Sequence, residues 1–136
     1  MPLRSPILNV MVTAILKASR GLSRDFGEVQ QLQVSRKGPA DFVSTADKKA
    51  AGILFEQLSL ARPEYGFIME ERGLIKGKRA DMVWVVDPLD GTENFLHGIP
   101  HFAISIALLE KGRITAAVVY NPIQDEMYWA EDGKGA

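Results

Sequence analysis

Cysteine is absent from this chain. Its absence removes disulfides, thiol nucleophiles and thiolate metal sites, and makes a reducing cytoplasm the expected compartment. The first residues carry no basic start followed by an apolar core and a cleavage site. No apolar run approaches the ~18 residues of a membrane span, so neither export nor a bilayer crossing is expected. A dominant charge sign is missing too: 16 Lys and Arg stand against 17 Asp and Glu, a formal net charge of -1. Such a balance gives no strong general affinity for nucleic acid, and the local strip Arg72, Lys76, Lys78 and Arg79 reads as a solvated loop. Repeats, low-complexity tracts and interdomain linkers are lacking. What is present is one compact unit, 136 residues of which 46% are hydrophobic, enough for a single core.

The densest information lies in Trp84-Val85-Val86-Asp87-Pro88-Leu89-Asp90-Gly91-Thr92-Glu93-Asn94-Phe95. An apolar run reads as a buried strand, Asp87-Pro88 marks its end, and Gly91 permits a tight turn with backbone N–H groups near a ligand. Asp87 and Asp90 at a rigid strand end can converge on one hard cation or share two, with the Thr92 hydroxyl beside them. An isolated Asp-Gly is usually only a turn. Here a second apolar segment, Tyr65-Gly66-Phe67-Ile68-Met69, also finishes in acids, Glu70-Glu71. Paired acids at two strand ends suit phosphomonoester chemistry, in which cations neutralise phosphate and lower the pKa of water.

Elsewhere, Leu8, Met11, Ile15, Ala18, Leu22 and Phe26 step by three or four and predict an amphipathic helix from about Ile7 to Phe26, stopped by Gly27. Gln31 to Val34 reads as a short strand before a Lys37-Gly38-Pro39 turn. A second helix is expected to open near Thr45, with Ser44 and Asp47 in a capping arrangement and Ala50, Ile53, Leu54, Leu58 and Ala61 on one face. In that position Asp47 would need no catalytic explanation. After the signature, Phe102–Leu109, Ile114–Tyr120 and Met127–Ala130 read as an antiparallel meander, because their connections are short. The expected class is therefore α+β. Phe95 and Phe102 are assigned to the core, and Trp84, Trp129 and Tyr128 to the core or to a surface covered by a part that this chain lacks. His97 and His101 are read as exposed rather than catalytic.

The Asp87–Phe95 segment resembles the signature Asp-Pro-(Ile/Leu)-Asp-Gly-Thr-x-Asn-Phe of the inositol monophosphatase family, Mg2+-dependent and lithium-sensitive phosphatases. The likeness extends to Lys37-Gly38-Pro39-Ala40-Asp41-Phe42-Val43-Ser44-Thr45-Ala46-Asp47, to Glu70-Glu71 and to His97-Gly98-Ile99-Pro100. The chain is similar to the N-terminal part of the bacterial extragenic-suppressor type. This resemblance implies a layered helix/antiparallel-sheet sandwich of the sugar-phosphatase type, with residues 1–136 as its N-terminal metal- and phosphate-binding domain. It implies that Glu70, Asp87 and the Leu89 carbonyl bind one Mg2+, and that Asp87 and Asp90 reach a second. Thr92, hydrogen-bonded to Asp47, would orient the attacking water together with Glu70. Leu89, Asp90, Gly91 and Thr92 would meet the substrate, with the Gly91 and Thr92 N–H groups on phosphate oxygens. A small phosphomonoester such as inositol monophosphate is the implied substrate and a homodimer the implied assembly. Relatives of the suppressor type also imply a binding module for transcription-antitermination machinery.

Four departures stand against the pattern. Met69 replaces a Gly before the acid pair, and Arg72 follows it where a Ser is usual. Arg72 could pair with Glu71 or compete with a cation. Glu93 occupies the signature's variable position, commonly Thr, and would weaken phosphate binding if it pointed inward. The family is about twice this length, and its later Trp-Asp motif has no counterpart, since Trp84 precedes Val85 and Trp129 precedes Ala130. A truncated chain lacking the C-terminal half is the expectation.

Overall fold

The computed structural model describes residues 4–32, 39–70 and 72–133. Its first element, α1 (Pro6–Leu32), opens at Ser5: the Leu8 N–H donates to Ser5 Oγ at 3.2 Å, and Pro6 takes the first helical position. Both are favoured there, the hydroxyl as a cap and Pro because its missing N–H would be unpaired anyway. The helix continues through Gly27 instead of stopping. Phe26 and the fully buried Val29 prolong the apolar stripe of Leu8, Met11, Ile15, Ala18 and Leu22. Burying Val29 offsets the ~1 kcal/mol that a glycine costs inside a helix. Gln31 and Leu32 therefore belong to α1 and not to a strand, while residues 33 and 34 of that expected strand lie outside the described residues, as do residues 37 and 38 of the expected turn.

Helix α2 (Pro39–Ala61) begins well before Thr45. Pro39 opens it, Asp41 occupies its first turn, and the Thr45 hydroxyl donates back to the Asp41 carbonyl at 3.1 Å. The helix start expected around Ser44 and Asp47 is thus not the one used. Asp47 sits half-buried in the helix interior, where the favourable field of a first turn does not reach it. Val43, Ala46, Ala50, Leu54 and Leu58 form the buried face. Among the described residues no helix is long and apolar enough to cross a membrane.

The strands are β1 (Tyr65–Met69), β2 (Gly73–Ile75), β3 (Arg79–Asp90), β4 (Ala103–Glu110), β5 (Arg113–Asn121) and β6 (Glu126–Glu131), with a short α3 (Thr92–Leu96) between β3 and β4. They form one sheet in the order β2-β1-β3-β4-β5-β6. The meander from β4 to β6 is antiparallel as its short turns predict, and β3 also pairs antiparallel with β4 across the longer connection of residues 91–102. β1 and β3, however, are parallel, because the β2 hairpin on the outer edge carries the chain back before β3 starts. The sheet is therefore mixed, not purely antiparallel.

Alternation along the strands decides which face is covered. Met82, Trp84 and Val86 of β3, Ile104, Ile106 and Leu108 of β4, and Ala116, Val118 and Tyr120 of β5 are buried in one core with α1 and α2. Phe95 and Phe102 join them, as expected. The other face, with Val83, Val85, Ala107 and Ala117, is half-buried. On it Ile68 and Val119 are partly exposed, and Tyr128 is 66% exposed, so Tyr128 is neither core nor covered in this chain. Trp129, paired with Val118, is half-buried.

Candidate active site

Parallel pairing of β1 with β3 sends both strands to the same end of the sheet. Met69 is in register with Val86, so Glu70, just past the end of β1, and Asp87, within β3, stand at the same level of neighbouring strands. This parallel step, which the spacing of the sequence did not reveal, is what brings the two acidic strand ends together.

Asp87-Pro88 does not end β3. Asp87 pairs with Ser105 and Asp90 with Ala103, so three steps along β3 face two along β4, which defines a one-residue bulge. Pro88 is tolerated at a bulge because the ladder there needs no donor from it. The Leu89 N–H turns inward and donates to Asp87 Oδ1 at 3.2 Å. Burial is the largest influence on the Asp87 carboxyl and raises its pKa above the ordinary value. The Leu89 hydrogen bond opposes that shift, and the negative charges of Asp90 and Glu70 add to it.

Gly91 follows in a left-handed conformation, φ 96° and ψ 39°, as the residue before α3. A Cβ at this position would stand 3.1 Å from the His101 carbonyl oxygen and 3.2 Å from Phe102 Cα, so the dihedral favours glycine and the tight space adds to that preference. Gly91→Ala is expected to cost about 2–4 kcal/mol, combining left-handed strain with backbone displacement. Urea unfolding measures it, and a loss below ~1 kcal/mol would show that the turn can relax.

Thr92 opens α3 with an exposed side chain. Asn94 secures the following loop: its amide donates to the His101 carbonyl at 2.7 Å, and its own backbone carbonyl accepts from Ile99 N–H at 2.7 Å. Phe95 is α3's buried residue and sits against Phe26 and Phe102. Glu93 is 84% exposed and stands 3.5 Å from His97 Nε2, so its carboxylate is in solvent and not pointed inward. His97 and His101 are exposed.

Two recesses adjoin the β3 bulge, one lined by Pro88 and the other by Asp90. Asp47, Glu70, Arg72, Met69, Ala51 and Pro88 line a narrow crevice of about 10 Å³, room for roughly one water. α2, the turn after β1 and the β3 bulge thus converge there. On the other side, Asp90 and Gly91 share a recess of about 420 Å³ with Asn94, His101, Asn121 and Tyr128. The sequence had marked Asp47, Glu70, Asp87 and Asp90. It did not mark Phe55, whose ring carries the Arg72 guanidinium at 5.0 Å, and only the folded chain supplies that pairing.

Among the described residues no three acids stand close enough to enclose an ion. The donors nevertheless suit a hard divalent cation, since all are carboxylate or carbonyl oxygens. The negative charges of Asp90 and Glu70 also bear on the Asp87 carboxylate, a repulsion that positive charge would relieve.

The helix layer on a mixed sheet is the fold of solved inositol monophosphatase structures, among them that from Anabaena at TM-score 0.78 and 29% identity, covering 95% of this chain and 45% of that one. The chain belongs to the inositol monophosphatase family, whose model matches residues 3–136. It is 64% identical over 133 residues to a Mesorhizobium japonicum protein named inositol-1-monophosphatase, covering 98% of this chain and 50% of that protein. It is 40% identical over 131 residues to the Escherichia coli protein named Nus factor SuhB, covering 96% and 49%. The chain therefore spans about half the length of the curated relatives it matches.

Proposed function

We propose that this chain is the metal- and phosphate-binding domain of an enzyme that hydrolyses a small phosphomonoester, inositol monophosphate being favoured by the names of its relatives. The observation that supports the reading is the placing of Glu70 level with Asp87 on adjacent parallel strands, with Asp90 beyond the bulge, so that burial first and then both acidic neighbours raise the Asp87 pKa. Glu70, Asp87 and the Leu89 carbonyl would hold one Mg2+, and Asp87 with Asp90 a second. Bound there, Mg2+ neutralises phosphate charge and makes water a stronger nucleophile. The chain's own groups do the rest. Glu70 and Thr92 orient the water, Asp47 supports Thr92, and the N–H groups of Gly91 and Thr92 receive phosphate oxygens beside Leu89 and Asp90.

Phosphate release from inositol 1-phosphate, with and without Mg2+, tests this on the chain alone and on the chain continued by the second half of the Mesorhizobium japonicum relative. Mg2+-dependent release by either sustains the reading, and none by both sinks it. A second reading, a binding module for transcription-antitermination machinery, draws on the similarity to the protein named Nus factor SuhB. It would take over if both forms fold, release no phosphate and bind that machinery in a pull-down with purified components.

A further inference from the structure

Arg72 lies in the turn that leaves β1, where its N–H donates to the Met69 carbonyl at 3.2 Å. Its guanidinium carbon stands 5.0 Å from the centre of the Phe55 ring. That ring is itself tilted against Phe67 at 4.7 Å, and Phe67 is 2% exposed. Three elements thus build a stack from the core outward: Phe67 on β1, Phe55 on α2, and Arg72 on the turn. A charge that could wander through solvent is instead held where Arg72 lines the same water-sized crevice as Asp47 and Glu70. Arginine cannot lose this charge by deprotonation, and its planar group fits an aromatic face.

We propose that Phe55 and Arg72 act as one unit, the ring pinning the guanidinium at the crevice so that its fixed positive charge limits how tightly the neighbouring acids hold a divalent cation. This rests on the reading of Glu70 and Asp87 as cation ligands. Physically, Arg72 is a positioned competitor: it offsets part of the negative potential that draws a cation in, and Phe55 determines that the offset falls there and not in bulk water. A guanidinium that merely shielded Phe55 from water would leave cation binding untouched.

Calorimetric titration with MgCl2 separates these cases, using the chain as it stands and the variants Arg72→Gln, Arg72→Lys, Phe55→Leu and the double variant Phe55→Leu/Arg72→Gln, each checked by circular dichroism. Arg72→Gln keeps the length and removes the charge, and should tighten Mg2+ binding about 2- to 5-fold, the range of an exposed charge–charge interaction. Phe55→Leu keeps the charge and frees it, giving part of that gain. In the double variant nothing further is gained over Arg72→Gln, because the ring acts only through the guanidinium. Raising the salt concentration should shrink every gain.

Unchanged or weaker binding in Arg72→Gln overturns the proposal. So does a Phe55→Leu chain that binds like the wild type, since the charge would then act without being pinned. Should Phe55→Leu fail to fold, Arg72→Lys carries the same test: it retains the charge, loses the planar stacking, and should fall between wild type and Arg72→Gln. Equal Mg2+ affinity in all variants removes this inference alone. An absence of Mg2+ heat in every protein removes the cation-site reading and this inference with it.

Discussion

Replacing Asp87 with Asn is expected to weaken Mg2+ binding by at least about a hundredfold while making the metal-free fold more stable at neutral pH, because an uncompensated carboxylate at a half-buried position costs stability and a paired one binds. The folded-state pKa of Asp87 is raised, by burial first and by the charges of Asp90 and Glu70 besides. The folded protein therefore holds this proton more tightly than the unfolded chain, whose carboxylate titrates near ~3.9. As pH rises through the window from that value to the raised folded value, the stability contributed by the protonated form is lost, and above the window the full penalty remains. The amide introduced by Asp87→Asn never ionises, and its oxygen can still accept from the Leu89 N–H that reaches Asp87 Oδ1 at 3.2 Å. The variant should melt above the wild type at pH 7 without metal, and the gap should close in acid. With Mg2+ at a hundred times the wild-type dissociation constant the wild type gains ~2.7 kcal/mol and the variant at most ~0.4 kcal/mol, working against the variant's metal-free advantage. Melting curves at two pH values, with and without Mg2+, read all of this. A variant stabilised by Mg2+ as much as the wild type would remove Asp87 from the ligand set.

The elements that the sequence foretold are those whose signal is local. β4, β5 and β6 are apolar runs between short polar turns, and the structure places them within a residue or so of where the pattern does. The stripe of α1 was legible as far as Phe26. Its last turn was not, because Gly27 is a stop signal in isolation and only the burial of Val29 against the rest of the core overrides it. Asp87-Pro88 reads as a strand end for the same reason: the local rule is sound, and a bulge opposite Ser105 and Ala103 satisfies it another way.

The candidate site was legible in its acids and illegible in its assembly. Glu70 and Asp87 each announce themselves at the end of an apolar run, yet nothing in either run states that β1 and β3 are parallel. That relation comes from the β2 hairpin and from the core that α2 makes with Phe67 and Trp84. Asp47 shows the same limit from the other side. Read as a helix-capping acid it needs no further role, but α2 starts at Pro39, which leaves Asp47 inside the helix and facing the crevice with Glu70. A boundary misplaced by a turn and a half thus changes the meaning of a carboxylate, since one in a first turn is stabilised locally and one further along must find a partner across space.

Phe95 joins the site to the core, and Phe95→Ala is expected to cost about 3–5 kcal/mol, the loss typical of an aromatic ring cut from a packed interior. Phe95 is fully buried, its ring 5.6 Å from Phe26 and 4.9 Å from Phe102, which are 5.1 Å apart. This triangle is how α3, five residues long, is fastened to α1 and to the start of β4. A helix of that length has no stability of its own, so its order comes from the one ring it buries. The anchoring reaches the site through Gly91, whose carbonyl accepts from the Phe95 N–H at 3.0 Å. Losing the ring should therefore loosen the Gly91–Thr92 turn beyond the global loss, while Glu70 and Asp87, held by the β1–β3 ladder, keep their places. Denaturant unfolding gives the first effect, and hydrogen exchange at residues 91–97 against residues 83–86 gives the second. Phe95→Leu should recover more than half of the stability. A Phe95→Ala chain as stable as the wild type, or one with uniform exchange across both segments, would mean that α3 is held by its loop hydrogen bonds and not by the three-ring cluster.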